Sequence, residues 1–162
     1  MIQFKEMQTM LLISDELEKL AAACFVLNQD YCDAINYDYE YKHWMDLERI
    51  DQINYIAAVV ILFSKLELLR PEERKDIDKL AKEQHDAWVK AKVADGWTYG
   101  LSVNKEFKTH PDIVAWEELP YKEKLKDILF VNTVLAHFDR ISDIGKEKLS
   151  LMTNEQKAKL ED

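Results

Sequence analysis

Ile13, Leu17, Leu20, Cys24 and Leu27 recur at steps of four, three, four and three, which puts their side chains on one face of a helix. This spacing predicts a first helix near residues 12–28. The period breaks in "YCDAINYDYEYKHW" (31–44), where Tyr37, Tyr39 and Tyr41 alternate with Asp38 and Glu40. Alternation of that kind suits an extended edge or a loop with one aromatic side. A second helix is expected from about Asp46 to Leu69, apolar nearly all round in its middle and therefore assigned to the centre of the core. Pro71, with Glu72 and Glu73 in the first turn, reads as the start of a third helix that Gly96 ends. Residues 97–118 contain "GWTYG" and "HPD", turn chemistry with short extended pieces. Pro120 opens a fourth helix through about Arg140, with Leu125, Ile128, Leu129 and Leu135 facing inward. Thr153 and Gln156 predict a capping box for a short last helix at 154–161.

These elements describe a mainly α, helical bundle-like protein. It has an N-terminal helical region (1–70), a unit of two helices joined by an irregular segment with short extended pieces (71–140), and a helical tail (141–162). At 162 residues the three are expected to form one compact domain with a core that needs neither disulfide nor metal. No internal repeat or low-complexity segment interrupts this organisation.

Charge narrows the choice of partner. The net charge of −9 argues against nucleic acid polymers and anionic membranes. Most of the excess lies at the N-terminal end, where residues 1–70 carry 12 acids against 6 bases. Between 88 and 110 the sign reverses, since Lys90, Lys92, Lys105 and Lys108 face only Asp95 and Glu106. Cys24 and Cys32 are the only cysteines, and Cys24 reads as a small hydrophobe in a reducing cytosol. The N-terminus lacks the pattern of a signal peptide, and the most apolar run, Ile56 to Phe63, is too short to span a bilayer. A cytoplasmic location is expected.

The candidate chemistry gathers in "HDAWVKAKVADGWTYG" (85–100). His85, Trp88 and Lys92 follow one another at steps of three and four, aligning an imidazole, an indole and an ammonium on one helical face. Trp97 and Tyr99 come just after the helix stop, where the chain can fold back over that end. Such a face suits a flat anionic ligand, stacked on indole with its phosphates met by cations. The competing reading makes these aromatics core, and for Trp97 that reading is the stronger. His110 precedes a proline, which restricts its backbone to extended conformations and directs its ring. Trp116 reads as a structural anchor. No Cys or His pair at ligand spacing, calcium loop, nucleophile elbow or Gly-rich phosphate loop is present, so neither a metal, a cofactor nor catalysis is expected.

At these residues the sequence resembles the ryanodine receptor repeat, or RyR domain. The likeness runs through His85, Trp88, Lys92 where Arg is commoner, Gly96-Trp97-Thr98-Tyr99-Gly100, Lys108, His110-Pro111, Ile113, Leu119-Pro120 and the charged helix "YKEKLKD", over roughly a third of the chain. The resemblance implies a small unit of two helices joined by an irregular segment with short strands. In calcium-release channels such repeats are paired and turn their His-and-Trp helices towards a cleft that resembles an adenine-nucleotide site. It thereby implicates His85 and Trp88, with Lys92 in place of the Arg but without its bidentate fork. Only one repeat is visible here, and homodimerisation would supply the other half of the cleft. Stand-alone bacterial and phage members, with their defence-related gene neighbourhoods, imply a nucleotide-derived signal as ligand. The channel function does not carry over.

The expected function is a non-enzymatic binding module for an adenine-containing nucleotide or related signal. Trp88 would stack, and Lys92, Lys90, His85, Lys108 and His110 would meet phosphate, with Trp97 and Tyr99 as walls. The alternative is a protein-interaction or scaffolding module in which the aromatic motif is wholly structural. A hydrolase using His85 or His110 as general base needs a positioned partner that the sequence does not show.

Overall fold

The computed structural model describes residues 4–35 and 42–160, and over these the chain is mainly α. Tyr37, Tyr39 and Tyr41, read from the sequence as an extended edge or loop, lie outside the described residues. The helices are α1 (Phe4–Leu12), α2 (Ser14–Ala34), α3 (Arg49–Leu68), α4 (Ile77–Ala94), α5 (Tyr121–Leu151) and α6 (Asn154–Ala158). The strands β1 (Thr98–Tyr99) and β2 (Thr109–His110) pair in parallel, with Thr98 opposite Thr109 and Tyr99 opposite His110. Among the described residues no helix is long and apolar enough to cross a membrane.

The chain divides into two compact units. One comprises Met1–Arg70 with Thr133–Asp162, the other Pro71–Asn132. In the first unit the predicted face of α2 is buried through Ile13, Leu17, Leu20 and Cys24, although Leu27 at its end is exposed. Across from it lie Val59, Leu62, Phe63 and Leu66 of α3, and Phe63 meets Phe138 of α5 at a ring distance of 4.9 Å. Burial pushes the Cys24 thiol up to about 12, so it is inert at neutral pH. Phe25, Trp44 and Tyr55 form an aromatic cluster that fixes the start of α3, aided by Gln52 donating to the Trp44 carbonyl at 2.9 Å.

Several boundaries differ from the sequence reading for identifiable reasons. The first helix is two: at Ile13 the backbone makes a turn, its N–H bonding the Met10 carbonyl, and α2 restarts with Asp15 and Glu16 in its first turn. Pro71 opens a turn rather than a helix. α4 begins six residues later at Ile77, because the Asp76 carboxylate accepts from the Lys79 N–H at 3.2 Å and supplies the cap. α5 runs past Arg140 to Leu151, and its buried face is Val131, Val134, Phe138 and Ile141 rather than the expected Leu125, Ile128, Leu129 and Leu135, which are half-buried. It passes through Gly145, where a Cβ would lie 2.6 Å from Thr9 Cγ2 and 3.0 Å from Ile13 Cγ2. Hydrogen alone lets α1 and α5 approach so closely. The capping box forms as read: Thr153 and Gln156 exchange side-chain and backbone bonds at 3.1 and 2.9 Å.

α3 departs most from expectation. It is not central: Ile50, Ile53, Ile61 and Leu68 are exposed on the side opposite its buried face.

Candidate functional site

The second unit is built around α4, which sets His85, Trp88 and Lys92 on one face as their spacing requires. His85 is only 2% exposed. Its Nε2 lies 2.8 Å from the Val114 carbonyl and its Nδ1 3.6 Å from the Asp127 carboxylate of α5. Both ring nitrogens thus face acceptors, which only the imidazolium satisfies at once. Burial opposes the charged form, but the Asp127 carboxylate and the Val114 carbonyl outweigh it, and the net effect holds the His85 pKa above its ordinary value. The ring stacks on Trp88, with centroids 6.0 Å apart, and tilts against Trp116 at 5.8 Å.

Around this imidazole the aromatics and charges alternate. Lys124 lies over Trp116 at 5.2 Å, His85 between Trp116 and Trp88, and the Lys92 ammonium 6.0 Å from Trp88 and 4.5 Å from Trp97. Each cation faces the electron-rich surface of an indole, a contact worth about 0.5–2 kcal/mol according to exposure. Trp88 and Trp97 are both half-buried. Trp97 reaches Lys92 through the end of α4: Gly96, at φ +87°, takes the left-handed conformation, its N–H bonds the Val93 carbonyl, and the Trp97 N–H bonds the Lys92 carbonyl at 2.9 Å. These paired bonds are a Schellman termination, which turns the chain back over the last turn. Lys108, itself at φ 51°, donates to the Asp95 carbonyl at 2.7 Å and pairs with the Asp95 carboxylate at 3.7 Å, so its ammonium helps to close the same corner.

His110 of β2 stands edge-on to Trp88, 4.9 Å between centroids. The Asp112 N–H donates to its Nδ1 at 3.1 Å, which leaves the proton of the neutral ring on Nε2. Burial, followed by the positive charges of Lys126 and Lys92 and against the pull of Glu123, lowers its pKa to about 4. Lys126 in turn pairs with the buried Glu123 and, at 3.6 Å, with Asp112. The two histidines that flank Trp88 are therefore poised oppositely, His85 towards charge and His110 towards neutrality. Among the described residues no group of three His, Cys, Asp or Glu is placed to hold a metal ion.

His110 has a measurable signature. Its folded pKa lies below the unfolded value, so the unfolded chain binds more protons as pH falls, and stability drops between about pH 6.5 and about 4. His110→Asn should flatten that part of the pH dependence of the melting temperature relative to the unchanged protein. An identical slope in both would show that His110 does not titrate in this way.

Of the residues read from the sequence, the structure brings together His85, Trp88, Lys92, Trp97 and His110. Tyr99 is more than half exposed on β1, beside His110 in the strand register. Lys108 belongs to the corner at Asp95, and Lys90 is exposed on α4. Sequence reasoning missed Asp127 and Lys124, and it read Trp116 as a structural anchor without placing it against His85. Their signal was the match of three separate elements around one imidazole, which no local spacing contains. Residues 63–142 match the family model of the RyR domain.

Proposed function

Given that residues 63–142 of this chain are an RyR domain, we propose that the protein is a cytosolic, non-enzymatic binding module for an adenine-containing nucleotide or a nucleotide-derived signal. One observation carries this reading: the Lys92 ammonium is held over two half-buried indoles, Trp88 and Trp97, beside the ring of His110. A base can stack on the accessible part of these indoles while phosphate meets the ammonium and the Nε2–H of His110. His85 is too buried to touch a ligand and holds Trp88 from behind, as a positioning residue. The local excess of lysine on an acidic chain favours an anion here over elsewhere on the surface.

Calorimetric titration with AMP, ADP, ATP and cyclic adenine nucleotides tests the proposal. Binding should appear, and Trp88→Ala should weaken it about tenfold or more, since a stacked base contributes about 1–3 kcal/mol. Lys92→Met should weaken phosphorylated ligands selectively, and Lys92→Arg should not. No heat at millimolar nucleotide, or unchanged affinity in Trp88→Ala, overturns the reading. The second reading, a protein-interaction module, is favoured by the segment between β1 and β2, where Leu101 is 91% exposed and Phe107 72% exposed. Binding of a protein partner that survives Trp88→Ala and is lost in a Leu101→Ser, Phe107→Ser variant would support that second reading.

A further inference from the structure

The charges around Trp88 limit how much negative charge a ligand can bring there. Residues 88–110 hold four lysines against two acids, an excess that by itself would suit a polyanion. The fold neutralises most of it. Lys108 donates to the Asp95 carbonyl and pairs with the Asp95 carboxylate. Lys105 sits beside Glu106 in the segment between β1 and β2. Lys90 lies about 200° round α4 from both Trp88 and Lys92, away from their shared face. Of the charges on neighbouring elements, Lys126 is paired with Glu123 and Asp112, and His85 stands behind Trp88 against Asp127.

His110 adds a donor without a charge. Its Nδ1 accepts the Asp112 N–H at 3.1 Å, and a proton placed there would set two donors against each other. Lys92 differs from the other lysines. Among the described residues no carboxylate lies within ion-pair distance of it, and its ammonium rests over the Trp88 and Trp97 rings. It also stands in the last turn of α4, whose carbonyl end carries a partial negative charge. The Asp95 carboxylate follows at once, 3.3 Å from Trp97 Nε1. A first negative charge on a ligand thus finds the Lys92 ammonium, whereas a second meets a helix C-terminus and a carboxylate.

We propose that the face formed by Trp88, Lys92, Trp97 and His110 selects a nucleotide phosphodiester, with one negative charge, over phosphomonoesters and polyphosphates. The inference rests on the nucleotide reading above and narrows its ligand class. A phosphodiester has two free oxygens that share one charge. One cation, Lys92, and one neutral donor, the Nε2–H of His110, match that pair of oxygens in number and in charge.

Calorimetric titration of the full chain in magnesium-free buffer near neutral pH tests this with AMP and its methyl ester. The two differ by about one charge, because a phosphomonoester is close to dianionic there. The methyl ester and cyclic AMP should bind about tenfold tighter than AMP, and ATP more weakly still. Adenosine, which brings no charge to Lys92, should bind more weakly than the methyl ester. Asp95→Asn keeps an oxygen for the Trp97 N–H but releases Lys108, so it should raise AMP affinity about fivefold and leave the methyl ester within about twofold. The Asp95 side chain is exposed, so the fold should survive this change, which an unaltered circular dichroism spectrum checks. AMP or ATP binding as tightly as the methyl ester, while Trp88→Ala still weakens all of them, overturns the charge limit and leaves the nucleotide reading in place. Adenosine equal to the methyl ester, or an unchanged ratio of AMP to methyl ester in Asp95→Asn, overturns it as well. No binding of any of these ligands overturns both readings.

Discussion

Replacement of His85 by Ala is expected to destabilise the protein by about 3 kcal/mol. The loss has three sources. The Val114 carbonyl loses its partner at 2.8 Å, the Asp127 carboxylate loses the imidazole it faces, and a cavity opens between Trp88 and Trp116. Three of the four tryptophans, Trp88, Trp97 and Trp116, belong to the second unit, so urea unfolding followed by tryptophan fluorescence reads this effect mainly where it arises. The contribution of His85 also has a sign in pH. Its folded pKa is raised, so its stabilisation is complete below the unfolded value near 6.5 and is lost as pH rises through the folded value. The gap between wild type and His85→Ala should therefore narrow on going from acid to alkaline pH. A gap below about 1 kcal/mol, or one that widens with pH, would contradict the raised pKa of His85 and its two buried contacts.

Gly145→Leu should cost a comparable amount, about 3 kcal/mol, through overpacking in the first unit. The new side chain would have to pass Thr9 Cγ2 and Ile13 Cγ2, and Ile13 is fully buried with no room to retreat. In isolation an alanine in mid-helix is about 1 kcal/mol better than glycine. Gly145→Ala should nonetheless fail to stabilise, because its Cβ alone already meets Thr9 at 2.6 Å. Far-UV circular dichroism in urea gives the stability, and hydrogen exchange should show early release of α1. A Gly145→Leu variant as stable as wild type would mean that α1 does not lie against α5.

How much of this was legible in the sequence depends on whether the information was local. The buried face of α2 and the capping box at Thr153 follow from spacing within one turn or two, and both are present. The shared face of His85, Trp88 and Lys92 was equally readable, since 3.6 residues per turn dictates it. What lies behind that face was not. Asp127 is 42 positions from His85, Trp116 arrives on a separate turn, and their meeting depends on how α5 crosses α4. α3 was misread for a different reason: apolar residues all round its middle do not say which side the rest of the chain covers. Gly145 carries no local mark that distinguishes a close helix contact from a weak helical residue. Only the position of Thr9 reveals it.

α5 has a consequence for how the protein can be divided. Its 31 residues are an unbroken helix, yet the boundary between the two units falls inside it, after Asn132. The family match likewise begins within α3 and ends within α5, at residues 63 and 142. Neither cut falls in a flexible linker. A fragment that stopped at residue 132 would strip the last four carbonyls of their i+4 donors and fray back towards Asp127, the residue that faces His85. Modular reuse of this unit therefore requires an overhang of α5 well beyond its own contacts, and a recombinant library cut at the compact boundary would select against it.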